Sequence, residues 1–412
     1  MQIDLILLAD QTERLPAWPL GSVHRVAPQP SAVSHGVERY LRQAGSSFCL
    51  FWDANLGQPE TESVAQITRL PGDVWHAGLR LGMGGMPGLI DFVSPTWLYN
   101  RDPEPAIEAT SWRLSLQATL VRTEVLNQMG GPRPEFQTLT GAALELGHRW
   151  IKRGVLPRHI PRLITGGVEP SQHNLPFEDE LRFVYYRFGR YWSRWALGRA
   201  ILSGYVSAGE AIRGWRQVVQ TAWLVEPAPF VHPTVSVKRA SEPARVTVLI
   251  PTLERYSYLR TLLNQLRLQT VKPFEIIIVD QSPPAARDTR LAADFADLPL
   301  KIICRNQPGQ CSSRNAGLSA ARGDYILFID DDDEVSPNLI EAHLETMGRF
   351  QAPVSSGVAD EVGAGPLPQE VTYVRASSVF PTNNTLISRD LLRKSGLFDL
   401  AYDRGSRADG DL

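Results

Sequence analysis

A chain of 412 residues is long enough for two or three domains, each with its own hydrophobic core. Its net charge of −2 excludes a global field that would attract nucleic acid, and 43% hydrophobic with 21% charged residues is ordinary for a globular protein. The three scattered cysteines exclude a disulfide framework and favour a reducing compartment. No stretch approaches 18 uninterrupted apolar residues, so we expect no membrane-spanning helix.

Residues 178–203 form a predicted helical stretch that is dense in arginine, tyrosine and tryptophan. At 100° per residue the aromatic side chains share one face and the arginines another. These residues are Tyr185, Phe188, Tyr191, Trp192 and Trp195, and Arg187, Arg190 and Arg194. Such a stripe suits a membrane interface, but we favour packing against neighbouring domains because aromatic stripes are usually core.

Residues 226–245 are proline-rich and polar, which predicts a linker. After it, strands alternate with helices, a pattern typical of a mostly parallel sheet that binds ligands at the carboxyl ends of its strands. The predicted strands are 246–250, 274–279, 300–304 and 325–329, and the predicted helices are 258–268, 291–297 and 312–321. Thr252, Asp280 and Asp330 each follow such a strand, so we expect them at one edge of the sheet.

Four consecutive aspartates, residues 330–333, directly follow the apolar run 325–329. Carboxylates crowded at the end of a buried strand repel one another and are costly unless a cation lies among them. Their oxygens are the ligands that Mg²⁺ or Mn²⁺ prefers. A solvated acidic turn is the alternative, and the convergence of three polar strand ends favours the metal site.

The sequence also contains an internal similarity. Residues 50–55 match 327–332 at a shift of 277, and Thr119, Leu120, Leu126 and Gly130 match residues of 385–396 at a shift of 266. The shift of 266 also aligns residues 142–146 with 408–412. Two blocks at nearly equal shifts predict two copies of one fold, although short apolar strings also recur by accident.

The two copies differ at their ionisable positions. Asn55 takes the position of Asp332, Ala143 that of Asp409, and about Val37 and Glu38 those of Arg314 and Asn315. The first copy keeps the apolar pattern and loses the ionisable residues, which predicts a catalytically inactive scaffold.

Residues 246–412 resemble the family 2 glycosyltransferases of the GT-A fold. Four segments carry the resemblance: VTVLIPTLER (246–255), EIIIVDQS (275–282), the run 306–334, and SGLFDLAYDRGSRADGDL (395–412). The amino-terminal half resembles the same fold more weakly. The resemblance implies an α/β protein with two GT-A domains, which are Rossmann-like folds of nucleotide-diphospho-sugar transferases.

The expected organisation follows the resemblance. We expect a degenerate GT-A-like domain at 1–175, a helical connector at 176–225, the linker at 226–245, and a GT-A family 2 domain at 246–412. The second copy stops directly after its last motif, whereas the first continues beyond Leu146. We therefore expect the carboxyl-terminal domain to be incomplete.

The resemblance also implies roles for individual residues. Asp280 accepts a hydrogen bond from the donor base, and Arg314 and Asn315 lie near the diphosphate. The rest of the implied donor site is Pro251, Thr252, Glu254, Asp330 and Asp331. Asp332, with Asp330, holds Mg²⁺ or Mn²⁺. Asp409 matches the general base of the family's Glu-Asp motif, whose glutamate is replaced here by Ala408.

The implied function is metal-dependent, inverting transfer of a sugar from a nucleotide-diphosphate donor to a glycan or lipid-linked acceptor, with no nucleic acid as partner. We expect a cytoplasmic setting with peripheral contact at the inner membrane face. A non-catalytic nucleotide-sugar or glycan-binding module is the first alternative. A nucleotidyltransferase is the second, but the loop after the first strand lacks the glycine-rich, lysine-bearing sequence of that class.

Overall fold

The chain divides into two compact units in a computed structural model. The structure describes residues 2–10, 17–43, 45–77, 89, 107–165, 175–220, 226–233, 244–361, 363–377 and 380–404. The amino-terminal unit contains residues 1–232 and 368–378, and the carboxyl-terminal unit contains 233–367 and 379–412. Among the described residues no helix is long and apolar enough to cross a membrane.

The amino-terminal unit is a mixed sheet with helices. Its elements are β1 (Ile3–Leu8), β2 (Val23–Val26), α1 (Pro30–Leu41), β3 (Phe48–Asp53), α2 (Thr61–Ile67), β4 (Val74–Ala77), β5 (Ala109–Thr110), β6 (Ala118–Arg122), α3 (Thr123–Met129), α4 (Leu139–Lys152), β7 (Pro157–His159), α5 (Phe177–Leu202) and α6 (Ala208–Val219). The sheet order is β2-β1-β3-β6-β4-β7-β5. Alternate residues of β1 enter two cores on opposite faces of the sheet, because successive strand side chains point in opposite directions.

Helix α5 is kinked at Gly189, where the backbone leaves the helical region (φ 83°). Before this kink its side chains belong to a core that includes residues of α4. After it, Tyr191, Trp192 and Trp195 are 75%, 45% and 42% exposed. The expectation that the whole aromatic stripe is core is therefore wrong for the second half of the helix, because the kink turns its aromatic face toward solvent.

The carboxyl-terminal unit is also a mixed α/β structure. Its elements are β8 (Val246–Thr252), α7 (Tyr256–Arg267), β9 (Glu275–Asp280), α8 (Leu291–Asp294), β10 (Leu300–Cys304), α9 (Gln310–Ala320), β11 (Tyr325–Phe328), α10 (Leu339–Phe350), β12 (Val354–Ser356), β13 (Thr385–Ser388) and α11 (Arg389–Ser395). The four strands and three helices predicted after the linker are present, but the helix predicted at 291–297 ends at Asp294. The sheet order is β10-β9-β8-β11-β13-β12, with β8 to β11 parallel.

The two sheets share strand order, direction and register over five strands. The order β2-β1-β3-β6-β4 corresponds to β9-β8-β11-β13-β12, with the last two strands antiparallel to their neighbours in both sheets. Leu50 pairs with Leu120, and their counterparts Leu327 and Leu386 also pair. The two shifts found in the sequence thus join residues at equivalent sheet positions.

The equivalence continues into the helices that follow. Helices α3 and α11 each have seven residues, and each ends at a glycine with positive φ, Gly130 at 71° and Gly396 at 99°. Glycine adopts that conformation without the Cβ penalty of other residues. These two glycines are also related by the shift of 266.

Candidate active site

Polar residues meet at the carboxyl ends of β8, β9 and β11, and we call this group (residues 252–256, 280–282 and 330–333) the rim. The strands are parallel neighbours, so their ends share one edge of the sheet. The Thr252 hydroxyl donates to Asp331 Oδ2 at 2.6 Å, and both side chains are buried. The expectation that the strand ends converge is confirmed.

The acidic residues of the rim differ in exposure. The side chains of Asp330 and Asp332 are 38% and 45% exposed, whereas Asp331 is buried. Burial raises the pKa values of Asp331 and Asp333, and the charge of Asp332 raises both further. Hydrogen bonds from Thr252 and from the Asp330 backbone oppose these shifts. The cluster therefore favours any cation that reaches it.

Arg255 is a cation already present in the rim. Its Nη1 lies 2.5 Å from Asp332 Oδ2 and 3.6 Å from Asp331 Oδ1, and its side chain is 54% exposed. The loop that carries it contains Glu254 at φ 57°, a left-handed conformation that is uncommon outside glycine. The Glu254 amide is held by the Ser282 hydroxyl at 2.9 Å.

Arg314 lies against the other exposed aspartate. Helix α9 packs closely on β8 because Gly317 has no side chain, and a Cβ there would lie 2.0 Å from a Leu249 methyl. This packing brings the buried Arg314 guanidinium to 3.0 Å from Asp330 Oδ1. Arg314 Nε is buried without a hydrogen-bond partner among the described residues. The contact shown is thus with a carboxylate of the rim.

Asp280 is fixed at the end of β9. Its Oδ1 accepts from the Ser282 amide at 2.9 Å, and its Oδ2 accepts from the Tyr256 hydroxyl at 2.8 Å. Burial and the Asp280 contact raise the pKa of Tyr256, against an opposing hydrogen bond with Ser282, so Tyr256 stays a neutral donor. Each carboxylate oxygen can accept further bonds. Pro251, one residue before the end of β8, is half-buried and pairs in register with Val279.

Asn315 is bonded at both ends of its amide. Its Nδ2 donates to the Phe398 carbonyl at 2.8 Å and its Oδ1 accepts from the Phe398 amide at 3.0 Å. This geometry gives Asn315 a positioning role for the segment that follows α11, and its role toward a diphosphate stays a prediction. Asp409, the predicted base, lies outside the described residues.

Asp403 reaches the amino terminus of α9. Its Oδ1 accepts from the Ser312 amide at 2.7 Å, as an N-cap residue would. Burial alone would raise the pKa of Asp403, but hydrogen bonds from Ser312 and Cys311 outweigh burial and lower it. The Gln281 side chain also accepts there, from the Gly309 amide at 2.7 Å.

Four residues of the site were not predicted from the sequence: Arg255, Tyr256, Ser282 and Asp403. Arg255, Tyr256 and Ser282 follow the ends of β8 and β9, and this position was the only feature of the sequence that pointed to them. No such indication pointed to Asp403, because its partner Ser312 lies on a helix 91 residues earlier in the chain.

The residues of the rim fit a divalent cation. Among the described residues no group of three or more His, Cys, Asp or Glu could hold a metal ion. Mg²⁺, however, usually takes one or two carboxylates and completes its shell with water and substrate phosphates. Asp330 and Asp332 present partly exposed oxygens, and a guanidinium already compensates the charge of Asp332.

Comparison with known proteins finds one matching family and several similar proteins. Residues 247–394 match the family described as Glycosyl transferase family 2. The putative glycosyltransferase EpsH of Bacillus subtilis is 40% identical over 110 residues, which are 26% of this chain and 31% of EpsH. Glycosyltransferase GlyA of Streptococcus pneumoniae is 28% identical over 115 residues, 27% of this chain and 16% of GlyA. The chain thus spans a third or less of the length of these relatives.

One similar solved structure is the mannosyltransferase PcManGT from Pyrobaculum calidifontis in complex with GDP-Man and Mn²⁺. It is 20% identical, covers 52% of this chain and 61% of its own, and has a TM-score of 0.35. The predicted resemblance to family 2 rests on the sequence match and is confirmed over the matched segment. Residues 247–394 of this chain are a glycosyl transferase family 2 domain.

Proposed function

We propose that residues 246–412 form a GT-A domain that transfers a sugar from a nucleotide-diphosphate donor to a hydroxyl of a glycan or lipid-linked acceptor, with inversion at the anomeric carbon. The observation that carries the proposal is the rim, where Thr252, Asp280 and the pair Asp330 and Asp332 share one sheet edge. The family match over 247–394 supports it. Parallel sheets bind ligands at this edge.

Three aspartates of the rim and Arg314 beside it have parts in the proposed chemistry. Asp280, held by Tyr256 and Ser282, accepts from the donor base with its remaining lone pairs. Arg314 orients Asp330. Asp330 and Asp332 would hold Mg²⁺ or Mn²⁺, which when bound neutralises charge on the departing diphosphate.

Inversion requires one base on the face opposite the leaving group. We assign this role to Asp409, which takes the acceptor proton as the acceptor oxygen bonds to the anomeric carbon. Pro251 and Glu254 would border the nucleoside.

The proposal includes a second, degenerate GT-A domain in the amino-terminal unit. Five strands with the same order, direction and register in both sheets support it. The registers place Ala9 and Ala27 where the carboxyl-terminal unit has Thr252 and Asp280. Asn55 takes the position of Asp332, so this unit would contribute no donor chemistry.

We further propose a cytoplasmic setting in which the second half of α5 contacts an anionic lipid surface. Exposed Tyr191, Trp192 and Trp195 support this, as do Arg194 and Arg199, which lie over tryptophan rings. Aromatic and arginine side chains suit the headgroup region. Vesicles with phosphatidylglycerol should sediment the protein, and the double substitution Trp192→Ala with Trp195→Ala should abolish sedimentation. Equal sedimentation of the variant would refute the lipid contact.

A thermal-shift comparison tests the donor site directly. UDP, GDP, CDP and dTDP are added with Mn²⁺ and with EDTA, and at least one should raise Tm only when Mn²⁺ is present. Asp332→Ala should remove that shift, whereas Asn55→Ala, at the equivalent position of the other unit, should keep it. If no nucleotide stabilises the protein in a metal-dependent manner, the donor-site proposal is wrong.

A further inference from the structure

The amino-terminal unit contains a cleft where the carboxyl-terminal unit has its rim. The cleft measures about 390 Å³, and its walls come from the segment before α1, the end of β3, the segment before β6 and the start of α4. We call it the neutral cleft. Asp53 at the end of β3 is the counterpart of Asp330, and Ala143 in α4 is the counterpart of Asp409 by the shift of 266. The neutral cleft thus occupies the position of a donor site.

Its chemistry does not suit a diphosphate. No Lys, Arg or His occurs among the described residues that line it, and its one carboxylate is Asp53. Phosphate groups are held by cationic side chains or by free amides at a helix start. A nucleotide diphosphate would therefore meet a negative charge in the neutral cleft without compensation.

The start of α4 does not supply the missing anion site. Buried Asp179 already accepts from the Gln137 amide at 2.8 Å, the Thr138 amide at 2.9 Å and the Thr138 hydroxyl at 2.7 Å. A helix start attracts one negative charge through its free amides. The chain's own carboxylate fills that position here.

The neutral cleft instead offers uncharged donors and acceptors. Gln29, Gln117, Gln137 and Thr140 line it. Gln117 Nε2 points to Asp53 Oδ2 at 3.5 Å, and Gln117 Oε1 is buried without a hydrogen-bond partner in the described part of the chain. A buried acceptor without a donor is costly. Rotation of the Gln117 amide toward the cleft would let a ligand hydroxyl donate to Oε1 and recover that cost.

We infer that the neutral cleft binds an uncharged carbohydrate. Sugar hydroxyls both donate and accept, which matches amide, hydroxyl and carboxylate groups that lie close together. The choice of carbohydrate over other neutral polar ligands rests on the proposed function of the carboxyl-terminal unit, whose acceptor would be a glycan. In this arrangement one unit holds the nucleotide sugar and the other holds glycan.

Saturation-transfer NMR with the full chain tests the inference. The probes are glucose, galactose, mannose, N-acetylglucosamine, cellobiose, lactose and chitobiose at millimolar concentration. UDP, GDP, CDP and dTDP, each with Mn²⁺, are measured separately. At least one neutral sugar should bind, and Gln117→Leu and Thr140→Val should each weaken its affinity at least tenfold. Gln66→Leu, at an exposed position on α2, is the matched control and should leave affinity unchanged.

A variant of the rim, Asp332→Ala, distinguishes the proposed donor site from the proposed sugar site. Asp332→Ala should abolish nucleotide binding and leave sugar binding intact, so a failure of the donor proposal alone would show as no nucleotide bound with sugar still bound. Absence of binding by every sugar would overturn the inference. Sugar binding that survives both cleft substitutions would also overturn it, as would loss of nucleotide binding in Gln117→Leu. If Gln117→Leu does not fold, the sugar affinity of Thr140→Val tests the inference on its own.

Discussion

The two units differ in where their ionisable side chains lie. In the amino-terminal unit His76, His148 and Glu145 are buried, and the carboxyl edge of the sheet opens on a cleft lined by amides and hydroxyls. In the carboxyl-terminal unit the corresponding edge carries partly exposed carboxylates and a guanidinium. The same five-strand order therefore supports one edge organised by charge and one organised by neutral hydrogen-bonding groups.

The buried charges of the amino-terminal unit form a structural network. Glu145 lies 3.1 Å from Arg149, 3.2 Å from Arg133 and 3.5 Å from Arg187. Burial alone would raise the pKa of Glu145, but these three guanidinium groups outweigh burial and lower it. Buried charges persist only when paired in this way. The ionisable residues of this network therefore serve packing, whereas those of the rim are partly exposed.

The largest expected effect is on the rim. Asp332→Asn should weaken Mn²⁺-dependent nucleotide binding at least a hundredfold, about 2.7 kcal/mol, because a neutral amide replaces a metal-ligating carboxylate. Calorimetric titration with the nucleotide selected by thermal shift measures this. The matched change Asn55→Ala in the other unit should alter the affinity by less than about twofold. Equal losses in both variants would refute the assignment of the donor site to the rim.

The next effect concerns the buried histidines. Burial, and then the neighbouring His159, lower the pKa of His76 to about 3, against an opposing hydrogen bond to Ser111. A depressed histidine pKa adds stability above pH 6.5, and that stability is lost as the pH falls toward 3. At ~1.4 kcal/mol per pKa unit, His76 alone costs the amino-terminal unit about 2 kcal/mol by pH 5. Hydrogen exchange followed by mass spectrometry between pH 7 and 5 measures the loss.

Two variants serve as references for that experiment. His76→Gln should flatten the pH dependence of exchange in the amino-terminal unit, since glutamine does not titrate and can still donate to the Ser111 carbonyl. His35→Gln, at an exposed position on α1, should leave the dependence unchanged. A slope that His76→Gln does not reduce would contradict the assignment.

A smaller effect tests the hydrogen bond between Thr252 and Asp331 in the rim. Thr252→Val removes the donor to buried Asp331, and hydrogen bonds to charged groups contribute about 1.5–3 kcal/mol. We expect the carboxyl-terminal unit to lose about 1.5 kcal/mol in urea unfolding. Thr261→Val, an exposed threonine of α7 that bonds its own helix, should cost less than about 0.5 kcal/mol. Equal costs would show that the Thr252 contact contributes no stability.

Much of the carboxyl-terminal sheet was predictable because its parallel strands β8, β9 and β11 are buried and therefore appear as short apolar runs. Strand β12 has three residues, too few to show a period, and its partner β13 lies 29 residues later. Helix α5 was predicted within one residue at each end, but the turn of its face at Gly189 was not. A backbone at positive φ changes the direction of every later side chain, and composition does not record it.

The site was predictable where a strand end fixed it. Thr252, Asp280 and Asp330 converge because parallel strands end at one edge. Asn315 shows the limit, because a motif places an amide near a site without fixing its partner, and the partner here is Phe398. Contacts that span a loop of irregular backbone, such as Arg255 with Asp332, depend on local φ values that no sequence period encodes.

Arg255 provides the smallest and most specific test of the comparison. Its guanidinium lies at the exposed Asp332, where the metal ion is proposed to bind, so it competes with that ion. Exposed ion pairs contribute at most about 1 kcal/mol, which limits the competition to about fivefold. Arg255→Gln should therefore tighten Mn²⁺ binding in the absence of nucleotide by about two- to fivefold, measured by titration at fixed ionic strength.

The matched control for this variant is Arg290→Gln, which removes an exposed guanidinium of the same unit that pairs with Asp294. If both variants tighten Mn²⁺ binding equally, the effect is general charge screening. If only Arg255→Gln does so, the Arg255 guanidinium and the divalent ion compete for the Asp332 carboxylate. In the amino-terminal unit Asn55 takes the position of Asp332 and donates to Asp53 at 2.9 Å. We therefore expect no exchange of a guanidinium for a metal ion at that position.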